Sequence, residues 1–278
     1  QAREEGWEAS AAQPRPEGES DKLDWNDLLQ RDRLTAKHLD DYRHHGRVLI
    51  AKDAFEKAFL IWERNQWSSF PVQFNNEQYW ATFSPKKIND TIEDLRQSQE
   101  YSDKPVHELR AAAAEETGAI TRICNAVFRT LYFQRNPSTE ESLYYLRIDF
   151  PVDRPPVKAG FSGGAVSASA EFKKRLMSVA AGAIWKGSGE QLDRLLESQT
   201  RRIKTVETIE FTGFDRPRGV YVLGEIAVRR GRVHSINDED FFDFGDCALK
   251  LATTERMLDI AYDPQAVPTA WFPVVIDA

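Results

Sequence analysis

KTVETIEFTGFDRPRGVYVLGEIAVRRGRVHSIN, residues 204–237, decides the fold. It holds three runs rich in β-branched and aromatic residues, 204–214, 219–228 and 231–237. Asp215-Arg216-Pro217-Arg218-Gly219 and Arg229-Arg230-Gly231 separate them. Side chains of this kind suit a pleated, half-buried surface, and Gly- and Pro-bearing turns bound it, so the stretch reads as three strands. Such a sheet needs helices or a second sheet to cover its apolar face.

The flanks supply both. GSGEQLDRLLESQTRR, 187–202, reads as a helix capped by Ser188, with Leu192, Leu195 and Leu196 on one face. SAEFKKRLMSVA, 169–180, is a second helix, carrying Phe172, Leu176 and Val179 at helical spacing. Further upstream, AITRICNAVFRTLYFQRN (119–136) and SLYYLRIDFPV (142–152) are β-rich and read as an antiparallel pair around Pro137-Ser138-Thr139. Downstream, NDEDFFDFGD (237–246) is an acidic loop or helix turn.

The first third has a different character. TAKHLDDYRHHG, 35–46, is a short helix with Thr35 as its cap and Gly46 where a helix commonly stops. Val48, Leu49 and Ile50 then look strand-like, and Phe55, Phe59 and Trp62 return to helical spacing. Phe70, Val72 and Phe74 alternate, break at Asn75-Asn76 and resume as Tyr79, Ala81 and Phe83, which is a hairpin pattern. Residues 85–118 are polar and helix-forming, with Ile88, Ile92 and Leu95 apolar. The expected class is α+β: a helical N-terminal third, then antiparallel sheet segments with two packed helices. The expected division is a flexible lead-in over 1–22, an α-rich connecting domain with a β-hairpin over 23–118, and an α+β domain over 119–278. The lead-in is rich in Glu, Ala, Pro, Gly and Ser and cannot bury enough apolar surface to offset its ordering entropy.

Composition narrows the function classes. Apolar residues make up 41% and charged residues 29% of 278, an ordinary globular balance. The apolar runs are too short for a membrane helix, and the N-terminus carries no charged-then-apolar signal pattern. Two cysteines, Cys124 and Cys247, argue for a reducing compartment, with the cytoplasm as the default, and against a disulfide framework or cysteine zinc site. The net charge of −7 conceals an asymmetry. Lys158 to Arg232 holds 14 Lys and Arg against 8 Asp and Glu, a local +6, which leaves −13 for the rest. A basic middle is compatible with a polyanionic partner.

The chemical motifs are mostly negative. AGFSGGAVSAS, 159–169, lacks the Lys-Ser or Lys-Thr that a phosphate loop needs after its glycines, and GAIWKGSG, 182–189, fails too. His38, His44 and His45 do not take the i,i+4 spacing of a helical zinc site. Asp238-Glu239-Asp240 has Phe242 and Asp243 where a calcium loop needs an oxygen ligand and Gly. A two-metal reading through Asp238 and Asp240 remains as an alternative. No GxSxG elbow is present. No catalytic residue, metal site or cofactor is therefore expected. The basic clusters carry the positive expectation. Lys173, Lys174 and Arg175 lie on the first helix, Arg201, Arg202 and Lys204 follow the second, and Arg229, Arg230 and Arg232 form a turn between strands. Converging on one face, they would bind phosphates with steep salt dependence; as solvated surface they would do nothing. Tyr132, Phe133, Tyr144 and Tyr145 are read first as a cross-strand core set and second as base-stacking rings.

Several stretches in order carry a resemblance: 23–62 (LDWNDLLQRDRLTAKHLDDYRHHGRVLIAKDAFEKAFLIW), 131–136 with 141–151, 167–196, 203–214, 219–233 and 237–245. Together they resemble primase–helicase proteins of bacterial integrative and mobile elements. In that family a zinc-binding primase domain and a Toprim domain come first, a connecting region follows, and a P-loop helicase comes last. DWNDLL, 24–29, is similar to the family's GKDWNDL tail after the Toprim domain, with Leu23 as a departure. The resemblance implies the central region alone, a truncated product or a fragment, on which the family's catalytic residues have no positions. It implies a non-catalytic connector that contacts DNA and the helicase and primase domains or proteins, with no membrane role. The competing expectations are a stand-alone protein-interaction remnant without DNA affinity, and a primer-synthesis enzyme using Asp238 and Asp240.

Overall fold

The computed structural model describes residue 12 and residues 25–30, 35–101, 103–151 and 154–252. The expected lead-in lies outside them but for Ala12, as does the chain after Ala252. The class is α+β, with a helical N-terminal region followed by strands. Among the described residues no helix is long and apolar enough to cross a membrane. The chain forms two compact units. One comprises Gln1–Val127, Asp149–Arg154 and Gly182–Gln191; the other comprises Phe128–Ile148, Pro155–Ala181 and Leu192–Ala278.

The first unit holds α1 (Trp25–Gln30), α2 (Ala36–Leu49), α3 (Ala54–Asn65), β1 (Ser69–Phe74), β2 (Glu77–Thr82), α4 (Pro85–Gln97), α5 (Val106–Thr117) and β3 (Ala119–Cys124). Thr35 caps α2 in a reciprocal box with His38, and Asp53 caps α3. Trp25 of α1 meets Tyr42 of α2 edge-on, ring centroids 5.5 Å apart, so the acid-flanked tryptophan serves packing. The helix α2 runs through Gly46 and takes up Val48 and Leu49, where the residues suggest a strand. Gly46 is buried, and its carbonyl accepts from the Ile50 N–H at 3.1 Å, which closes the last turn. Packing outweighs the weak helix preference of a single glycine here.

Asn75 and Asn76 both adopt left-handed backbone and close the β1–β2 hairpin as anticipated. The strand β3 pairs with β2 to complete a three-stranded sheet, order β1-β2-β3. The pairing of 119–124 with the later strands, expected from composition, does not occur. The Asn125 side chain bends the chain away just after β3, donating to the Gly182 carbonyl at 2.8 Å and accepting from the Ile184 N–H at 2.7 Å. Trp62, Phe70, Phe83, Ile88, Ile92 and Leu109 form the core under this sheet, with Phe55 and Phe59 against it.

The second unit is built on a six-stranded sheet, order β12-β13-β7-β4-β5-β6. Its strands are β4 (Val127–Arg135), β5 (Ser142–Asp149), β6 (Val157–Ser162), β7 (Lys204–Ile209), β12 (Phe242–Asp243) and β13 (Ala248–Leu251). Between β6 and β7 come α6 (Gly163–Val166), α7 (Ser169–Val179) and α8 (Gly189–Thr200). The strand β7 lies parallel to both its neighbours, β4 and β13, because α8 carries the chain back before β7 begins. Phe172 of α7 packs on Phe128 and Phe161 at 4.9 and 5.4 Å. Leu192 and Leu195 of α8 are buried, and its Gln199 bonds the Phe128 carbonyl and the Thr130 N–H.

After β7 the chain makes a four-stranded meander, order β11-β10-β9-β8, from β8 (Gly213–Asp215), β9 (Val220–Leu223), β10 (Ile226–Arg229) and β11 (Arg232–Ser235). The run 219–228, which looks like one strand, is two. Gly224 takes φ 67 and turns the chain with Glu225 between the paired Leu223 and Ile226, a place for glycine in a two-residue hairpin loop. Val220, Val222 and Ala227 point to one side and are buried with Ile209, Phe242 and Leu249.

Candidate nucleic-acid interface

Because a meander alternates its turns, the β8–β9 turn and the β10–β11 turn lie at the same end of the four-stranded sheet. That end therefore carries Arg216 and Arg218 as well as Arg229, Arg230 and Arg232. The sequence alone shows 215–219 only as a turn; pairing of β8 with β9 is what adds its arginines to the group. The Arg229 Nε donates to the Arg218 carbonyl at 3.3 Å and ties the two turns together.

Two of these arginines are scaffold. Arg218 bonds Asp215 at 2.8 Å and Glu207 at 2.8 Å through Nε. Burial opposes its charge, yet these two carboxylates outweigh it and hold the guanidinium above its usual range. Arg229, with 12% of its side chain exposed, grips Asp246 in the β12–β13 turn through both terminal nitrogens. That hydrogen-bonded pairing raises the Arg229 value and depresses the Asp246 carboxyl. The other three are exposed. Arg230, with 78% of its side chain exposed, lies 3.6 Å from Asp246, and Arg216 and Arg232 form no ion pair with a described residue.

Arg229, Arg230, Arg232, His234 and Phe244 line an open cavity of ≈340 Å3. The Phe244 ring is its apolar wall: the Arg229 guanidinium lies 5.4 Å from the ring centroid, and His234 meets it edge-on at 4.7 Å. Three guanidiniums against the single carboxylate of Asp246 leave a surplus of positive charge, and every nitrogen in the set is a donor. The charge and donors of this cavity suit an oxyanion.

The predicted clusters divide. Arg201 and Arg202 occupy the turn after α8, and Lys204 opens β7 and pairs with Asp243 of β12. The strand β7 runs parallel to β13, with Glu207 opposite Leu249, so Lys204 lies toward the end of that strand pair at which the β12–β13 turn enters β13. Among the described residues the Arg201 side chain pairs with Glu197 one turn back, at 3.5 Å. The α7 cluster does not join them. Its helix packs against β6, at the opposite edge from β12, five strand spacings of about 4.8 Å away, or roughly 24 Å. There Arg175 donates twice to the Gly160 carbonyl, at 3.1 and 2.8 Å, and with Lys174 lines a separate cavity of ≈510 Å3. Lys173 is exposed on the same helix. The nine residues do not all share one face, since Lys173, Lys174 and Arg175 lie on the helix packed at the far edge of the six-stranded sheet.

The aromatic set behaves as a cross-strand core. Tyr132 is fully buried, stacked on Tyr145 at 4.8 Å, and Phe133 contacts Tyr144 at 5.1 Å. Lys250 donates to the Tyr132 hydroxyl at 2.8 Å, and burial pulls its ammonium below the usual lysine range. The acidic turn folds over this cluster. Asn237 Oδ1 accepts from the Glu239 and Phe241 N–H groups, Asp240 takes φ 62, and Lys158 donates to the Asp238 carbonyl. Among the described residues no group of three His, Cys, Asp or Glu side chains is placed to hold a metal ion. Set against family models, curated proteins and solved structures, the chain matches none.

Proposed function

We propose that this chain is a non-catalytic module that contacts DNA phosphates through the arginine end of its four-stranded sheet. The setting is that of a mobile-element replication protein of the primase–helicase kind, with primase and helicase domains as its further partners. One observation carries the reading: the cavity at Arg229, Arg230, Arg232 and His234 gathers three guanidiniums against one carboxylate. Arg218 and Arg229 are pinned by carboxylates and fix the geometry. Arg216, Arg230 and Arg232 present exposed charge, as do Arg201 and Arg202 in the turn before β7. Held scaffold beneath exposed cations is an arrangement that suits phosphate contacts.

Primer synthesis through Asp238 and Asp240 has less support. Their turn is folded on its own Asn237 and bonded to Lys158.

Fluorescence anisotropy with labelled DNA at about 50 and 200 mM salt tests the reading. Five phosphate contacts give a log–log salt slope of about −3.5 on single strands, since each contributes roughly −0.7. The double variant Arg230→Glu, Arg232→Glu is expected to abolish binding at the lower salt while leaving the unfolding transition in place. Wild-type chain that binds no DNA at about 50 mM salt sinks the reading.

A further inference from the structure

The side of the four-stranded sheet away from its core carries an unbroken apolar row. Phe214 is registered opposite Tyr221, Tyr221 opposite Val228, and Val228 opposite Val233, one residue from each strand. Alternation along the strands explains the row. Val220, Val222 and Ala227 turn inward to the core, so their neighbours Tyr221 and Val228 turn outward. Phe214 is 56% and Val233 68% exposed, and Ile226 in the next row is 41% exposed. Phe214 and Tyr221 lie near-parallel, ring centroids 6.4 Å apart at 28°. Exposed large apolar groups side by side, rather than scattered, mark a surface that meets something.

Two features say what it meets. The row begins with two stacked rings, whose flat faces suit flat ligands. It also lies one residue in from the arginine turns: Arg216 follows Phe214 by two residues, and Arg230 sits in the turn between Arg229 and Arg232 that leads into Val233. Rings beside exposed guanidiniums complement a strand with unpaired bases on one side and phosphates on the other.

We infer that the outer face of the four-stranded sheet is a single-strand-selective platform, on which Phe214 and Tyr221 stack unpaired bases while Arg216 and Arg230, in the turns at its edge, hold the adjoining phosphates. The inference rests on the proposed DNA contact and adds its substrate class. Duplex DNA keeps its bases paired and stacked on one another, so the rings have nothing to receive from it and only the arginines contribute. The row spans three strand spacings, roughly 14 Å, enough for about two bases.

The test compares three probes, each of about 12 units: oligo(dT), the same length of abasic strand, and a duplex. It uses wild type, Phe214→Ala, Phe214→Leu, Tyr221→Ala and the Arg230→Glu, Arg232→Glu pair. Each alanine variant is expected to weaken oligo(dT) binding about tenfold and to leave abasic and duplex binding unchanged. Leucine keeps the apolar area without the flat π-face, so Phe214→Leu is expected to behave like the alanine variant. Phe214 is an exposed residue on an edge strand, and an unchanged melting curve shows that the sheet survives. If the arginine pair abolishes binding while the ring variants match wild type on oligo(dT), the platform is wrong and the phosphate contact stands. If wild type binds none of the three probes, both fall. Wild-type dimers that Phe214→Ala converts to monomers, without any binding of oligo(dT), would make the row a protein–protein contact instead.

Discussion

Asp246 is the residue on which the arginine cavity turns. It holds Arg229 in place and also sits 3.6 Å from Arg230, so it both shapes the site and subtracts from its charge. Its folded-state carboxyl value is depressed, chiefly by the Arg229 hydrogen bond. A depressed carboxyl contributes stability that is present above the unfolded value, near 4, and is lost as pH falls through the lower folded value. Stability measured by chemical denaturation is therefore expected to fall more steeply below about pH 4 in wild type than in Asp246→Asn, which no longer carries that contribution. The same variant is expected to tighten DNA binding by on the order of a few-fold at low salt, because one repelling carboxylate is gone. Equal affinity for the variant and wild type would show that the carboxylate does not face the ligand. Arg229, Arg230 and Arg232 were legible in the sequence as a basic turn. Arg216 and Phe214 were not, since what makes them functional is the strand opposite, and residue order does not state the β8–β9 register.

Elements were legible where local chemistry decides them. Helical spacing placed α3, α4, α7 and α8, and the Asn75-Asn76 pair placed the first hairpin, because each signal lies within a single turn of chain. Failures came where a distant partner decides. The membership of β3 in the first sheet depends on Asn125 reaching Gly182 and Ile184, and the split of 219–228 depends on what Leu223 and Ile226 pair with. The β10–β11 hairpin shows how little slack such turns leave. Arg230 and Gly231 both have left-handed backbone, φ 52 and 72, between the paired Arg229 and Arg232. Gly231→Ala meets no atom within 4 Å, so its cost is backbone strain alone, about 1 kcal/mol. Chemical denaturation is expected to show that loss with an unchanged slope. Phe172→Ala removes a fully buried ring from between Phe128 and Phe161 and is expected to cost about 3–5 kcal/mol. A loss below 1 kcal/mol would mean that α7 is not fixed by that contact.

At the scale of the whole molecule the class was readable from composition and order, but the partition of the chain was not. The sequence suggests a lead-in over 1–22 and continuous domains over 23–118 and 119–278. The first compact unit is instead assembled from three stretches, its last one Gly182–Gln191. Lys186 donates its N–H to the Ile123 carbonyl at 2.7 Å, Trp185 bridges Cys124, and that tryptophan is 1% exposed. A chain ended at residue 148 is thus expected to lack a cooperative thermal transition, although it contains every residue of the three-stranded sheet; a sharp transition would show that the late stretch is dispensable. The same feature sets a timetable during synthesis. As the polypeptide leaves the ribosome, the edge of β3 and the side of Asn125 stand open until about 60 further residues have been made, some seconds at ordinary elongation rates. A chaperone, or slow unpaired waiting, must cover that interval, and a ribosomal pause placed between β3 and Trp185 would lengthen the exposure of a ready-made strand edge to its neighbours.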